Sequence, residues 1–125
     1  MELNDLTYKI RGAIFTVFNE LGPGLLESVY EAALTHELLT LGLNTKTQVA
    51  LPVIYKDVKL DIGFRIDILV ENQVIIEIKS VETLHDVHKK QLLTYLKLSD
   101  KKLGILVNFN CNKLVDKESI FRIIN

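Results

Sequence analysis

What this sequence has little of narrows its reading quickly. Its 125 residues include one cysteine, no tryptophan and two prolines, and the net charge is −1. A lone cysteine, Cys111, forms no internal disulfide, excludes a zinc site built on several thiolates and agrees with a reducing compartment. With so little net charge, no overall field draws the chain onto nucleic acid, so a polyanion has to be gripped locally. Apolar runs are only a few residues long, far short of the ~20 that span a bilayer, and the opening MELNDLTYKIRG lacks the charged-then-apolar pattern of a secretory leader. These absences lead to an expectation of a cytoplasmic protein without membrane association.

What is present is a hydrophobic fraction of 48%, enough to expect one domain with one core over residues 1–125. Leu6, Ile10, Ala13, Ile14, Val17, Phe18 and Leu21 recur at spacings of three and four, which predicts an amphipathic helix over residues 3–20 that stops at Gly22-Pro23-Gly24. A second helix is expected from Leu25 to Leu41, with Leu26, Val29, Tyr30, Ala33, Leu34, Leu38 and Leu41 as its buried stripe and Gly42 as its end. The pattern then changes to β-branched residues with alternating polarity, predicting three consecutive strands with turns near Tyr55–Val58 and at Glu71–Gln73. Helical spacing returns from His85 to Leu98 through Val87, Leu92, Tyr95 and Leu96. KLGILVNF, residues 102–109, reads as a strand covered on both faces, and a last strand is expected from Ser119 to Ile124. Helix, helix, three strands, helix, strand, strand is the order of a mixed sheet with helices packed on it, an α/β sandwich.

Charges interrupt the second and third of these strands where an apolar hairpin would not need them. In FRIDILVENQVIIEIKS, residues 64–79 followed by Ser80, Asp67, Glu77 and Lys79 stand among β-branched neighbours. Alternation puts Ile62, Phe64, Ile66, Ile68 and Val70 on one side of their strand, and Asp61, Arg65, Asp67 and Leu69 on the other. Joining the apolar rows across the turn Glu71-Asn72-Gln73 pairs Val70 with Val74 and Ile68 with Ile76, and sets Asp67 opposite Glu77. Opposed carboxylates only ~5 Å apart repel each other unless something positive lies between them. A divalent cation with Lys79 beside it is one solution. The other is a partly exposed strand face on which Lys79 and Arg65 neutralise the acids without chemistry.

Two helical motifs bear on that choice. GLLESVY, residues 24–30, puts Glu27 in the first turn of the second helix, where the macrodipole favours a carboxylate, with Tyr30 its neighbour three residues on. QLLTY, residues 91–95, sets Gln91 and Tyr95 four apart on one helix face. His85 and His88 are three apart but have no third ligand in view, and two histidines of this kind usually sit on a surface.

Asp67, nine residues, Glu77-Ile78-Lys79 and then a helix carrying QLLTY resembles the PD-(D/E)XK nuclease superfamily, and GLLESVY, QLLTYLKL and KLGILVNF look like the bacterial GxxExxY group within it. The likeness covers about Leu3 to Phe109, with Arg65 and Ile66 standing where the motif's proline would be. It implies a restriction-endonuclease-like fold, core order α-β-β-β-α-β with an extra N-terminal helix. It also implies a site in which Asp67, Glu77 and the Ile78 carbonyl hold Mg²⁺, or Mn²⁺ in its place, with Glu27 supporting the metal directly or through water. Lys79 would act on water or on the transition-state charge, and Gln91, Tyr95 and Tyr30 would line the pocket. The expected activity is hydrolysis of phosphodiester bonds in DNA or RNA. A non-catalytic binding or assembly module on the same fold is the alternative, motivated by the small size and the net charge. A homodimer is a further expectation, since one domain of this size offers little surface to grip a duplex.

Overall fold

The computed structural model describes residues 1–125, apart from the side chain of Asp61, which was expected on the polar row of its strand and lies outside the described residues. Three helices and five strands follow in the order α1 (Leu3–Leu21), α2 (Glu27–Thr40), β1 (Thr45–Tyr55), β2 (Val58–Val70), β3 (Val74–Lys79), α3 (Asp86–Ser99), β4 (Leu103–Asn108) and β5 (Ile120–Ile124). The strands form one sheet in the order β1-β2-β3-β4-β5, parallel between β3 and β4 and antiparallel elsewhere. This is the mixed α/β architecture expected of a restriction-endonuclease-like fold.

Each face of the sheet has its own core. On one, Leu6, Ile10, Ile14 and Phe18 of α1 and Tyr30, Leu34 and Leu38 of α2 pack on Ile68, Val70, Val74, Ile76, Ile78, Ile105 and Val107. On the other, Leu92, Tyr95 and Leu96 of α3 pack on Leu51, Ile66, Leu69, Ile75 and Leu106. β4, buried at every position, is the continuous apolar strand that two covered faces require. α3 approaches it so closely that a Cβ on Gly104 would lie 2.8–3.0 Å from the Leu92 side chain. Glycine at that position therefore sets how near α3, and with it Tyr95, can come to the sheet.

The link between α1 and α2 is held by one tyrosine. Gly22 adopts a left-handed backbone, φ 67°, and donates its N–H to the Phe18 carbonyl at 2.8 Å. The Tyr30 hydroxyl then donates to the Gly22 carbonyl at 2.5 Å and accepts from the Leu25 amide at 3.2 Å. Its ring is fully buried and stacks on Phe109 with centroids 4.4 Å apart. These contacts fix the point where α2 begins.

Some periodic apolar positions are not buried. α2 starts at Glu27, two residues after the expected start, and its buried line is the narrow i, i+4, i+8 series Tyr30, Leu34 and Leu38. Leu26, Val29 and Leu41 fall off that line and are exposed, Leu26 by 74%. Val87 is likewise 63% exposed, because the buried line of α3 runs through Leu92, Tyr95 and Leu96 and Val87 falls off it.

The β2–β3 turn is as expected, with Val70 paired to Val74 and Ile68 to Ile76. The face assignment of β2 needs correction. Ile66 packs on the α3 side while Ile68 packs on the α1/α2 side, although two residues of a regular strand spaced by two share a face. The strand therefore turns over at Asp67.

Candidate active site

The site lies where β2 and β3 part. Their ladder runs from Val70–Val74 to Ile68–Ile76 and stops. Beyond it the carboxylates take the place of the carbonyls. Asp67 Oδ2 accepts the Ile78 amide at 2.8 Å, and Glu77 Oε1 accepts the Asp67 amide at 3.2 Å. The strand ends are thus crosswise capped, and the two carboxyl groups lie close enough to perturb each other's ionisation. Asp67 and Glu77 meet as the register implied, but through this opening and not as an ordinary ladder pair.

Glu77 is only 5% exposed. Burial, and then the charge of Asp67, push its carboxyl up to about 8, so without a cation the pair holds a proton near neutral pH. Burial also raises Asp67, opposed by the Ile78 amide and by the Lys79 ammonium. Lys79 is half-buried and near enough to favour both ionised carboxylates, yet it forms no ion pair with either among the described residues. Arg65, the other candidate for neutralising them, donates instead to the Gln48 carbonyl at 3.2 Å. The acids are therefore not neutralised by a salt bridge, as the non-chemical reading of this strand face required.

α2 closes one side. Glu27 Oε2 accepts the Ser80 amide at 3.2 Å and Ser80 Oγ donates to the Leu25 carbonyl at 2.6 Å, so the start of α2 is tied to the residue after Lys79. Glu27, Ser28, Glu31, Gln48, Asp67 and Ile78 line a cleft of about 150 Å³. α3 closes the other side. Tyr95 is buried, its ring 5.1 Å from that of Phe64, and burial followed by the charges of Glu77 and Asp67 raises its hydroxyl above the usual tyrosine range. Gln91 is half-buried one turn earlier on the same helix. A roomier groove of about 420 Å³, bounded by Tyr8, Arg11, Phe15, Glu37 and Leu41, lies on the helical side and includes none of these acids.

Asp67, Glu77, Ile78, Lys79, Glu27 and Tyr95 come together, with Gln91 one turn from Tyr95 on α3. Tyr30 lies beneath the site in the core with its hydroxyl engaged by the α1–α2 turn, so it does not line the pocket. Three residues were missed. Glu31 faces the same cleft as Glu27, a placement the i, i+4 spacing could have suggested. Gln48 reaches the cleft from β1, and no sequence signal points to it. His88, read as a surface residue, accepts the His85 amide on Nδ1 at 3.0 Å, which leaves Nε2 to carry the proton. Burial, then the charges of Lys79 and His85, lower its imidazole below the usual range, and Glu27 opposes them, so it belongs to the electrostatic surroundings of the site.

The donor chemistry suits a hard divalent cation. Two close carboxylates with excess negative charge and a neighbouring backbone carbonyl provide oxygen ligands only, and Mg²⁺ completes such a set with water. Among the described residues no three His, Cys, Asp or Glu side chains form a ligand cluster on their own. Glu27, bound to Ser80, fits a supporting position reached through water.

No curated protein and no solved structure matches the chain. No helix of the described residues is long and apolar enough to cross a membrane. A family model described as the PD-(D/E)XK nuclease superfamily, whose nucleases generally use divalent metals, matches residues 4–123. With that match covering nearly the whole chain, and with Asp67, Glu77 and Lys79 at the mouth of a split hairpin, the protein belongs to the PD-(D/E)XK nuclease superfamily.

Proposed function

We propose that the protein is a Mg²⁺-dependent nuclease that hydrolyses phosphodiester bonds of DNA or RNA, with Mn²⁺ able to substitute. The observation that carries this reading is the buried Asp67–Glu77 pair, crosswise bonded to the strand amides and without an ion-pair partner, with Lys79 beside it. A purely structural strand end would not accumulate two carboxylates without an ion pair, because each buried charge destabilises the fold.

Asp67, Glu77 and the Ile78 carbonyl hold the cation, with Glu27 in support through water. When bound, the cation supplies positive charge at the scissile phosphate and makes water more acidic. Lys79 contributes a second positive charge, orienting the attacking water and stabilising the charge that gathers on the phosphate oxygens in the transition state. Tyr95 and Gln91 border the substrate from α3. Gly24, Glu27 and Tyr30, in the GLLESVY segment, support placement in the GxxExxY group. The setting is cytoplasmic, and a homodimer is the form expected to grip a duplex.

The test is a cleavage panel of single-stranded, double-stranded and branched DNA and RNA with Mg²⁺ or Mn²⁺, run beside Asp67→Ala and Lys79→Ala. Cleavage by the wild type that both variants lose is the expected result. A wild type inert on every substrate, or variants of full activity, overturns the reading and favours a non-catalytic binding module on the same fold.

A further inference from the structure

The turnover of β2 at Asp67 has a visible cause in β1. The β1–β2 ladder keeps one register on both sides of the site, with Thr47 opposite Ile68 and Val49 opposite Ile66, but the intervening Gln48–Asp67 pair is missing. Gln48 has a left-handed backbone, φ 51°, which is unfavourable for a residue with a side chain. Ile66 and Ile68 consequently pack on opposite faces of the sheet. In an uninterrupted strand the Asp67 side chain would point away from the face that both isoleucines shared, and its backbone would be paired with β1.

Gln48 is held in this conformation from two sides. Its Nε2 donates to Glu31 Oε1 at 2.6 Å, and its carbonyl accepts from Arg65 Nη1 at 3.2 Å. Glu31 is one helical turn beyond Glu27, and Gln48, Glu31 and Asp67 line the same cleft. A charge-assisted bond of this kind offsets what the left-handed residue and the lost ladder pair cost.

We infer that Gln48, locked between Glu31 and Arg65, is a positioning residue that opens the β1–β2 ladder and turns Asp67 onto the amide of Ile78. The consequence for metal binding rests on the proposed function, but the positioning itself can be measured without a metal. Gln48→Val resists a positive φ and favours extended backbone, so it closes the break. The expected result is an Ile78 amide that exchanges with solvent at least tenfold faster than in the wild type, matching the loss expected of Asp67→Ala measured beside it, while the amides of β4 keep their protection. The melting temperature stays level or rises, and Mn²⁺ affinity falls at least tenfold. Glu31→Ala, on the helix surface and without effect on strand propensity, shifts Ile78 exchange in the same direction by about threefold and decides the matter if Gln48→Val does not fold.

Ile78 protection within twofold of the wild type in the folded variants overturns the inference. A lower melting temperature with unchanged Ile78 exchange does the same, because that is the signature of a merely structural Gln48. If Ile78 loses protection in Gln48→Val but the wild type binds no Mn²⁺, the positioning stands and the metal reading fails.

Discussion

The two ends of the β2–β3 hairpin are built for opposite purposes. At the turn end, Ile68, Leu69 and Val70 pair with Ile76, Ile75 and Val74, all six buried and none charged. At the open end, one residue further along, the ladder is gone and its place is taken by two carboxylates and an ammonium. One end gains stability from apolar burial and ladder bonds. The other gives up both to keep charged groups close together at a mouth lined by α2 and α3, a configuration worth maintaining only where something is bound.

Substitutions at the open end should change activity most. Asp67→Ala is expected to lower metal-dependent cleavage by about 10²–10³-fold or more, and Lys79→Ala by a similar factor, with both proteins folded by circular dichroism. The turn end should respond in the reverse sense. Ile76→Ala should destabilise the fold by about 2–5 kcal/mol in denaturant titration, with residual activity tracking the folded fraction.

Glu77→Gln separates the two purposes within a single residue. The folded Glu77 carboxyl titrates near 8, against 4.5 for the ordinary group. The native state therefore binds the proton more tightly than the unfolded chain, and the metal-free protein loses stability as pH rises through that window. Below about pH 4.5 there is no penalty, and above about pH 8 it is complete. Glu77→Gln removes it, so the variant should be more stable than the wild type at pH 8 by a few kcal/mol while binding no divalent cation. Equal stability of the two across pH 5 to 8 would show that the open end carries no electrostatic strain. The smallest effect belongs to Tyr30→Phe, which loses the bond to Gly22 and should cost about 1 kcal/mol in thermal unfolding. Because the hydroxyl reaches the turn and not the carboxylates, kcat should be retained.

The same contrast governs what could be read in advance. The turn end was legible because alternation and a three-residue turn leave only one register that buries both apolar rows, and the meeting of Asp67 with Glu77 followed from it. The opening was not legible. It depends on a left-handed Gln48, and nothing in a TKTQVALPV stretch marks that glutamine as different from any other strand residue. The α2 stripe was read too widely for a related reason: periodicity identifies apolar positions, but a helix of 14 residues resting on Tyr30, Leu34 and Leu38 has no neighbour to cover Leu26, Val29 or Leu41. Tyr30 was correctly placed in the core and wrongly placed in the pocket, since the path of the Gly22–Leu25 turn decides where its hydroxyl goes. His88 was set aside as half of an isolated pair, because its nearness to Lys79 arises only when α3 folds back beside β3.

The central claim is that the open end of the hairpin is a divalent-cation site. Anomalous diffraction from Mn²⁺-soaked crystals of the wild type and of Asp67→Ala tests it most directly. The account predicts a peak between the Asp67 and Glu77 carboxylates that is absent from the variant; a wild type with no peak there, or a peak that survives the loss of Asp67, would contradict it.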